Sequence, residues 1–91
     1  MTVTVRIPSQ LRNLCGGAGE VAVDGDTVGE ALKALDGAHP GFADRLFDDR
    51  GQIRRSVNLF VADEDVRFLD GIDTVLTEGQ TLSIVPAVAG G

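Results

Sequence analysis

One segment of this chain sustains the spacing of an amphipathic helix over more than two turns. Val28, Ala31, Leu32 and Leu35 recur at intervals that put them on a single helical stripe. Thr27, with Glu30 three residues on, forms a capping box at its start. Asp36-Gly37 and then His39-Pro40-Gly41 supply the stop. Much of the rest alternates. Val3, Val5 and Ile7 face one way and Thr2, Thr4 and Arg6 the other, until Pro8 closes the run. Glu20 to Asp24 is a second short alternating segment. Ser56 to Ala62 is a third, with Val57, Leu59 and Val61 on one face and Asn58 and Phe60 on the other. Thr81 to Pro86 is the last, with Leu82 and Ile84 inward. A lone helical stripe must bury itself against something, and strands of this kind offer one apolar face. The pattern predicts a two-layer α+β fold: a sheet of about four to five strands with one main helix packed on one face.

The connections follow from local composition. Ser9 to Gly19 is a long link ending in the turn Gly16-Gly17-Ala18-Gly19, so the first two strands read as a hairpin. Phe42, Leu46 and Phe47 suit a short second helix or a turn capping the core. Asp48-Asp49-Arg50-Gly51 is a turn, and Gln52–Arg54 is compatible with a short strand. Asp63-Glu64-Asp65 ends the third strand, Val66 to Phe68 reads as a brief edge strand, and residues 70–79 form a polar loop holding Ile72, Val75 and Leu76. Ninety-one residues make one domain. Residues 1–86 are expected to form the folded body and residues 87–91 a flexible tail. A body this small has little room for an enclosed active-site cleft, which favours a binding or carrier module over an enzyme.

Charge and cysteine content narrow the function further. A net charge of −6 argues against nucleic acid, which demands clustered Lys and Arg, and against an anionic membrane surface. It suits a soluble chain steered toward a basic protein partner. Cys15 is the only cysteine, so no internal disulfide is possible, and it reads as a small residue in a loop. No apolar run approaches the roughly 18–20 residues of a membrane span. The alternating N-terminus lacks a signal peptide's apolar stretch, and the expected compartment is the cytoplasm.

Most candidate motifs dissolve on inspection. Gly16-Gly17-Ala18-Gly19 is followed by Glu20 and a strand rather than by Lys-Ser/Thr and a helix, so it is a turn and not a phosphate loop. Asp63, Glu64, Asp65, Asp70 and Asp73 lack the spacing of a calcium loop. With no other His and no cysteine beyond Cys15, His39 does not make a zinc site. Phe60 falls out of phase with the buried residues of its strand. It is a candidate docking residue on the open sheet face, with partial burial under a loop the other reading, and Phe68 carries the same two readings.

The end of the sequence points to chemistry. Pro86 is followed by Ala87-Val88-Ala89-Gly90-Gly91. Glycine has no Cβ, so a nucleophile or a phosphate approaches a Gly-Gly carboxylate without obstruction. Five residues extend roughly 17 Å at about 3.3–3.6 Å each, enough to carry the terminus into a narrow channel. Deletion of Gly91 is expected to leave thermal stability nearly unchanged.

Two stretches carry a resemblance that covers nearly the whole chain. Val57-Asn58-Leu59-Phe60-Val61-Ala62-Asp63-Glu64-Asp65-Val66-Arg67 and Leu82-Ser83-Ile84-Val85-Pro86-Ala87-Val88-Ala89-Gly90-Gly91 resemble the ubiquitin-like bacterial sulfur carriers, the MoaD/ThiS/CysO family. The length and the Ala-Val-Ala-Gly-Gly ending lean toward its CysO-type, cysteine-biosynthesis members. The resemblance implies a β-grasp whose first and last strands lie side by side and parallel. It implies that the Gly91 carboxylate, an ionised and poor electrophile at neutral pH, is adenylated by a ubiquitin-activating-type adenylyltransferase using ATP. Sulfide or a persulfide then displaces AMP and leaves a thiocarboxylate. Ala87, Val88, Ala89 and Gly90 are the residues threaded into partner sites. In the cysteine route the implied partners are a PLP-dependent cysteine synthase, whose aminoacrylate accepts the sulfur, and a metallopeptidase that releases cysteine. ATP, PLP and zinc then belong to the partners, and this chain binds no cofactor and is not itself an enzyme. The alternatives are a small subunit of molybdopterin synthase, a thiamin sulfur carrier, or a protein modifier whose adenylate is attacked by a target lysine. A tail that only plugs a partner's site is a further reading. With Lys33 as its single lysine, the chain is poorly equipped for self-linked polymers.

Overall fold

The computed structural model describes residues 2–86. Strand β1 is Thr2–Arg6, β2 is Glu20–Asp24, helix α1 is Val28–Ala38 and α2 is Phe42–Leu46. Strands β3 (Val57–Val61), β4 (Glu64–Asp65) and β5 (Thr81–Pro86) follow, with short 3₁₀ turns at Ser9–Cys15, Val66–Phe68 and Gly71–Asp73. The five strands form one mixed sheet in the order β2-β1-β5-β3-β4. The first and last strands are neighbours and parallel, with Val5 opposite Leu82; every other pairing is antiparallel. This is the ubiquitin-like β-grasp.

The alternation read from the sequence sets which face is dry. Val3, Val5, Val23, Val57, Leu59, Val61, Leu82 and Ile84 are all buried, and α1 covers them with Val28, Ala31, Leu32 and Leu35. Phe42 and Leu46 of α2 are wholly buried and extend the same core. Among the described residues no buried side-chain nitrogen or oxygen lacks a hydrogen-bond partner.

Helix α1 begins where its cap predicts. Thr27 Oγ1 accepts from the Glu30 amide at 3.2 Å, while Glu30 Oε1 reaches back one residue beyond the cap to the Asp26 amide at 3.0 Å. Its end lies later than Asp36-Gly37. The helix continues through Gly37 to Ala38 and stops at His39, whose φ of −137° and ψ of 87° are those of a residue forced out of the helical region by the proline after it. Asp36 Oδ1 then accepts from the amides of Gly41 (3.1 Å) and Ala43 (2.9 Å). One helix thus caps the next, because Gly41, at the N-cap of α2, has no side chain to do so.

Four local readings are corrected. Val66–Phe68 is a 3₁₀ turn, and the edge strand is the two-residue β4 before it. Ala62 and Asp63 take φ of 50° and 70°, a tight left-handed turn that puts Glu64 opposite Val61. The Asp65 carboxylate then accepts from the Arg67 amide at 2.8 Å and starts the turn. Gln52–Arg54 contributes only an isolated bridge, Phe47 to Ile53. The long link after β1 contains the 3₁₀ segment Ser9–Cys15, which buries Leu11 and Cys15. Cys15 is therefore a core residue rather than a loop filler, its Sγ 3.4 Å from the Ala18 carbonyl oxygen and 3.6 Å from that of Arg12.

Candidate functional site at the exit of the last strand

Strand β5 is central over its first half and one-sided over its second. Its pairing with β1 ends at Arg6 opposite Ser83, and the next amide of that segment, Ile7, bonds the Gly19 carbonyl on the β2 side at 2.8 Å. The pairing with β3 continues to Pro86, opposite Val57. Proline has no N–H to donate to a ladder, and Pro86 is the last residue described. The sequence proposal for Ala87, Val88, Ala89, Gly90 and Gly91 falls on residues outside those described. What the structure places is the root from which that segment continues.

The root borders an open groove of about 650 Å³ lined by Arg6, Pro8, Arg12, Glu20, Ser83 and Val85, among others. Two guanidinium groups stand on this groove in a chain of net charge −6. Arg12 Nε donates to the Ile7 carbonyl at 3.1 Å, which fixes the head group over Gly19, where an added Cβ would lie 3.6 Å from Nη2. Arg6 stands 3.9 Å from the Glu20 carboxylate, with both side chains well exposed, so the pair contributes little to stability. The alternation placed Arg6 on the outer face. Arg12 had no sequence signal as a groove residue, because only the 3₁₀ segment turns it back toward β1.

The two aromatic candidates part company. Phe60 lies on the open face opposite Ser83 on one side and Asp65 on the other. It is half-buried, so both sequence readings describe part of its surface. It shares the β3–β5 ladder with the tail root, and Val85, 42 % exposed, lies on the same face opposite Asn58. Phe68 is 87 % exposed and sits beside Val61 and Gln80 at the other end of that ladder. The structure does not bring the two together at the tail.

Arg67 was legible only as part of a sequence resemblance. In the fold its guanidinium donates to Asn58 Oδ1 at 2.8 Å and to the Val57 carbonyl at 2.9 Å. That ties the segment after β4 to β3, the strand that flanks the root. Among the described residues no group of three or more His, Cys, Asp or Glu side chains is placed to hold a metal ion, and no helix is long and apolar enough to cross a membrane. Among the described residues, a displaced ionisation is resolved at Asp48, which does not line the groove. Its carboxylate accepts backbone hydrogen bonds from Gln52 and Arg50, which lower its pKa.

Comparison with known proteins agrees with this geometry. Residues 5–91 match the ThiS family. The chain is 44% identical over 93 residues to the sulfur carrier protein CysO of Mycobacterium tuberculosis, covering all of both chains. It is 41% identical over 70 residues to small archaeal modifier protein 3 of Haloferax volcanii, covering 76% of this chain and 75% of that one. Its fold superposes on a chain of the Amycolatopsis orientalis BexX/CysO complex with a TM-score of 0.92, at 43% identity over 98% of this chain and 99% of the other. The chain belongs to the ThiS family of ubiquitin-like β-grasp proteins.

Proposed function

We propose that this chain is a sulfur carrier whose Gly91 carboxylate is activated and converted to a thiocarboxylate. The observation that carries the reading is the sequence Gly90-Gly91 shortly after Pro86, the last described residue of a strand whose Val85 lines an open groove. Full-length similarity to a sulfur carrier protein supports it.

The chemistry balances without a catalytic group on this chain. The carboxylate oxygen attacks the α-phosphorus of ATP on a ubiquitin-activating-type adenylyltransferase, releasing pyrophosphate and forming an acyl adenylate. A sulfide or persulfide sulfur attacks the acyl carbon, and AMP leaves with the bonding pair. Where the donor is a persulfide, the product is an acyl disulfide; a second thiolate attacks the donor's inner sulfur, breaks the S–S bond and forms a new disulfide with the donor, and the thiocarboxylate leaves with the bonding pair. The resulting thiocarboxylate is the nucleophile delivered to the acceptor. The body supplies the docking surface, Ala87 to Gly90 supply reach, and Gly90 and Gly91 carry no side chain to obstruct approach to the carboxylate. The reading makes the chain a cosubstrate in the cytoplasm rather than an enzyme. Its proposed acceptor is the aminoacrylate on a PLP-dependent cysteine synthase, with a metallopeptidase releasing cysteine; ATP, PLP and zinc reside on those partners.

Similarity to a small archaeal modifier protein favours one second reading, in which a target lysine attacks the same adenylate and gives an isopeptide. Intact-mass spectrometry separates the two. The chain is incubated with the adenylyltransferase, ATP and sulfide, beside a Gly91-deleted control. The expected result is a gain equal to exchange of one oxygen for sulfur, absent in the control. ATP-dependent attachment to a larger protein through the tail, without that gain, makes the chain a modifier. No change with an active enzyme overturns both.

A further inference from the structure

Of the five large apolar side chains exposed among the described residues, four fall within residues 68–75: Phe68 (87 %), Val75 (68 %), Leu69 (39 %) and Ile72 (37 %). Their backbone is held in place. The Leu69 amide bonds the Val66 carbonyl at 3.0 Å and the Leu76 amide bonds the Asp26 carbonyl at 2.8 Å. Val75 forms a bridge with Thr27, and the buried Thr74 hydroxyl accepts from the Asp70 amide at 3.0 Å. The exposure is therefore presented on a fixed frame, the condition under which an apolar anchor binds without a large ordering cost.

Phe68, Leu69 and Val75 line one hollow together with Glu64 and Asp70 and with no base among its lining residues, while Ile72 lies apart, in a hollow it shares with Lys33. Residues 62–80 hold six carboxylates, Asp63, Glu64, Asp65, Asp70, Asp73 and Glu78, and one base, Arg67. The Arg67 guanidinium is turned back onto Asn58 and the Val57 carbonyl. A second copy of this chain would bring two such rims together, so like charge disfavours self-association through this face. The complement is an apolar pocket rimmed by Lys and Arg.

We infer that the Phe68–Val75 face is a body-recognition site for the activating adenylyltransferase, contacting it through a basic-rimmed apolar pocket. The inference rests on the carrier reading above. A Gly-Gly terminus has no side chains to read, so an enzyme that adenylates this carboxylate must tell the chain from others by its body. The face lies at the start of β5 and the tail root at its end, about 17 Å apart at about 3.3 Å per strand residue. One partner therefore grips the face while the terminus occupies its active site.

The test uses the full chain and the purified adenylyltransferase of the same organism, with Phe68→Ser and Val75→Ser variants. Both side chains are exposed, and a thermal melt of each variant checks that the fold is intact. Calorimetric titration without ATP measures docking apart from chemistry, and the sulfide-dependent mass assay gives KM and kcat. The expected result for Phe68→Ser is a rise of about tenfold or more in Kd and KM with kcat unchanged, and binding of the parent chain that weakens with added salt. A Kd within twofold of the parent overturns the inference. So does a concentration-dependent dimer in sedimentation that Phe68→Ser abolishes, which assigns the face to a second copy. Loss of the mass gain in the parent chain overturns the carrier reading alone, because the calorimetric comparison still decides the docking.

Discussion

Arg67 holds Asn58. The guanidinium Nη1 donates to the Asn58 Oδ1 at 2.8 Å, and Nη2 reaches the Val57 carbonyl at 2.9 Å and that of Arg55 at 3.3 Å. A side chain nine residues downstream thus fixes the strand that flanks the tail root. Removing the fork frees a partly buried carbonyl. Arg67→Ala is expected to cost about 1–2 kcal/mol, read as a lower urea midpoint with unchanged slope. Arg67→Lys should recover only part of this, since an ammonium cannot reach several acceptors in one plane.

Two glycines near α1 should respond in opposite directions. A Cβ on Gly25 would lie 2.6 Å from the Ala31 amide nitrogen and 2.8 Å from its Cα. Those are backbone atoms of the helix, so β2 or α1 has to move. Gly25→Ala is expected to cost about 1–3 kcal/mol. Gly37 is within α1, and a Cβ there meets nothing within 4 Å. Gly37→Ala is expected to gain about 0.5–1 kcal/mol. Melting curves of the two variants check the contrast.

The helix cap gives a third prediction. Thr27 Oγ1 satisfies the Glu30 amide, one of the first-turn donors that lack an intrahelical partner. Thr27→Ala is expected to lower stability by about 1 kcal/mol and Thr27→Ser by much less, measured by denaturant unfolding.

The pH response of the turn after α2 has a defined sign. Hydrogen bonds from the Gln52 and Arg50 amides to Asp48 favour its charged form, so its pKa in the folded state lies below the ordinary value. Its contribution is fully present above the unfolded value near pH 4 and is lost as pH falls through the lower folded value. A carboxylate-resolved NMR titration should show Asp48 ionising at lower pH than exposed aspartates. Asp48→Asn should flatten the acid limb of stability; an ordinary pKa at Asp48 would contradict the assignment.

Local patterns were reliable where local physics decides. The alternation in β1, β3 and β5 named the buried residues, and Thr27 with Glu30 marked the start of α1. The pattern failed at Val66–Phe68, where an apolar-polar-apolar triplet looks like a strand. Asp65 folds it into a turn because its carboxylate has a nearby amide to cap. Of the two stops read for α1, the helix runs through Asp36-Gly37, since Gly37 is tolerated in a helix, and ends at His39, which Pro40 constrains.

The candidate site was legible in unequal parts. Gly90-Gly91 is visible in the sequence, and the chemistry proposed for it is argued from carboxylate and glycine properties. The groove with Arg6 and Arg12 was invisible, because those residues meet only when the 3₁₀ segment turns back on β1. Phe60 and Phe68 looked alike in the sequence. Register covers one between β5 and β4 and leaves the other bare.

The sequence by itself determined which side of β1, β3 and β5 is dry and where the main helix starts. These depend on side-chain period and on one cap. Only the tertiary structure decided that β1 and β5 run side by side and parallel, and that the tail root lies at one end of the β3–β5 ladder and the Phe68 face at the other. Strand order is set by contacts between residues some eighty positions apart, such as Val5 and Leu82, and no local period records which distant strand a strand will meet.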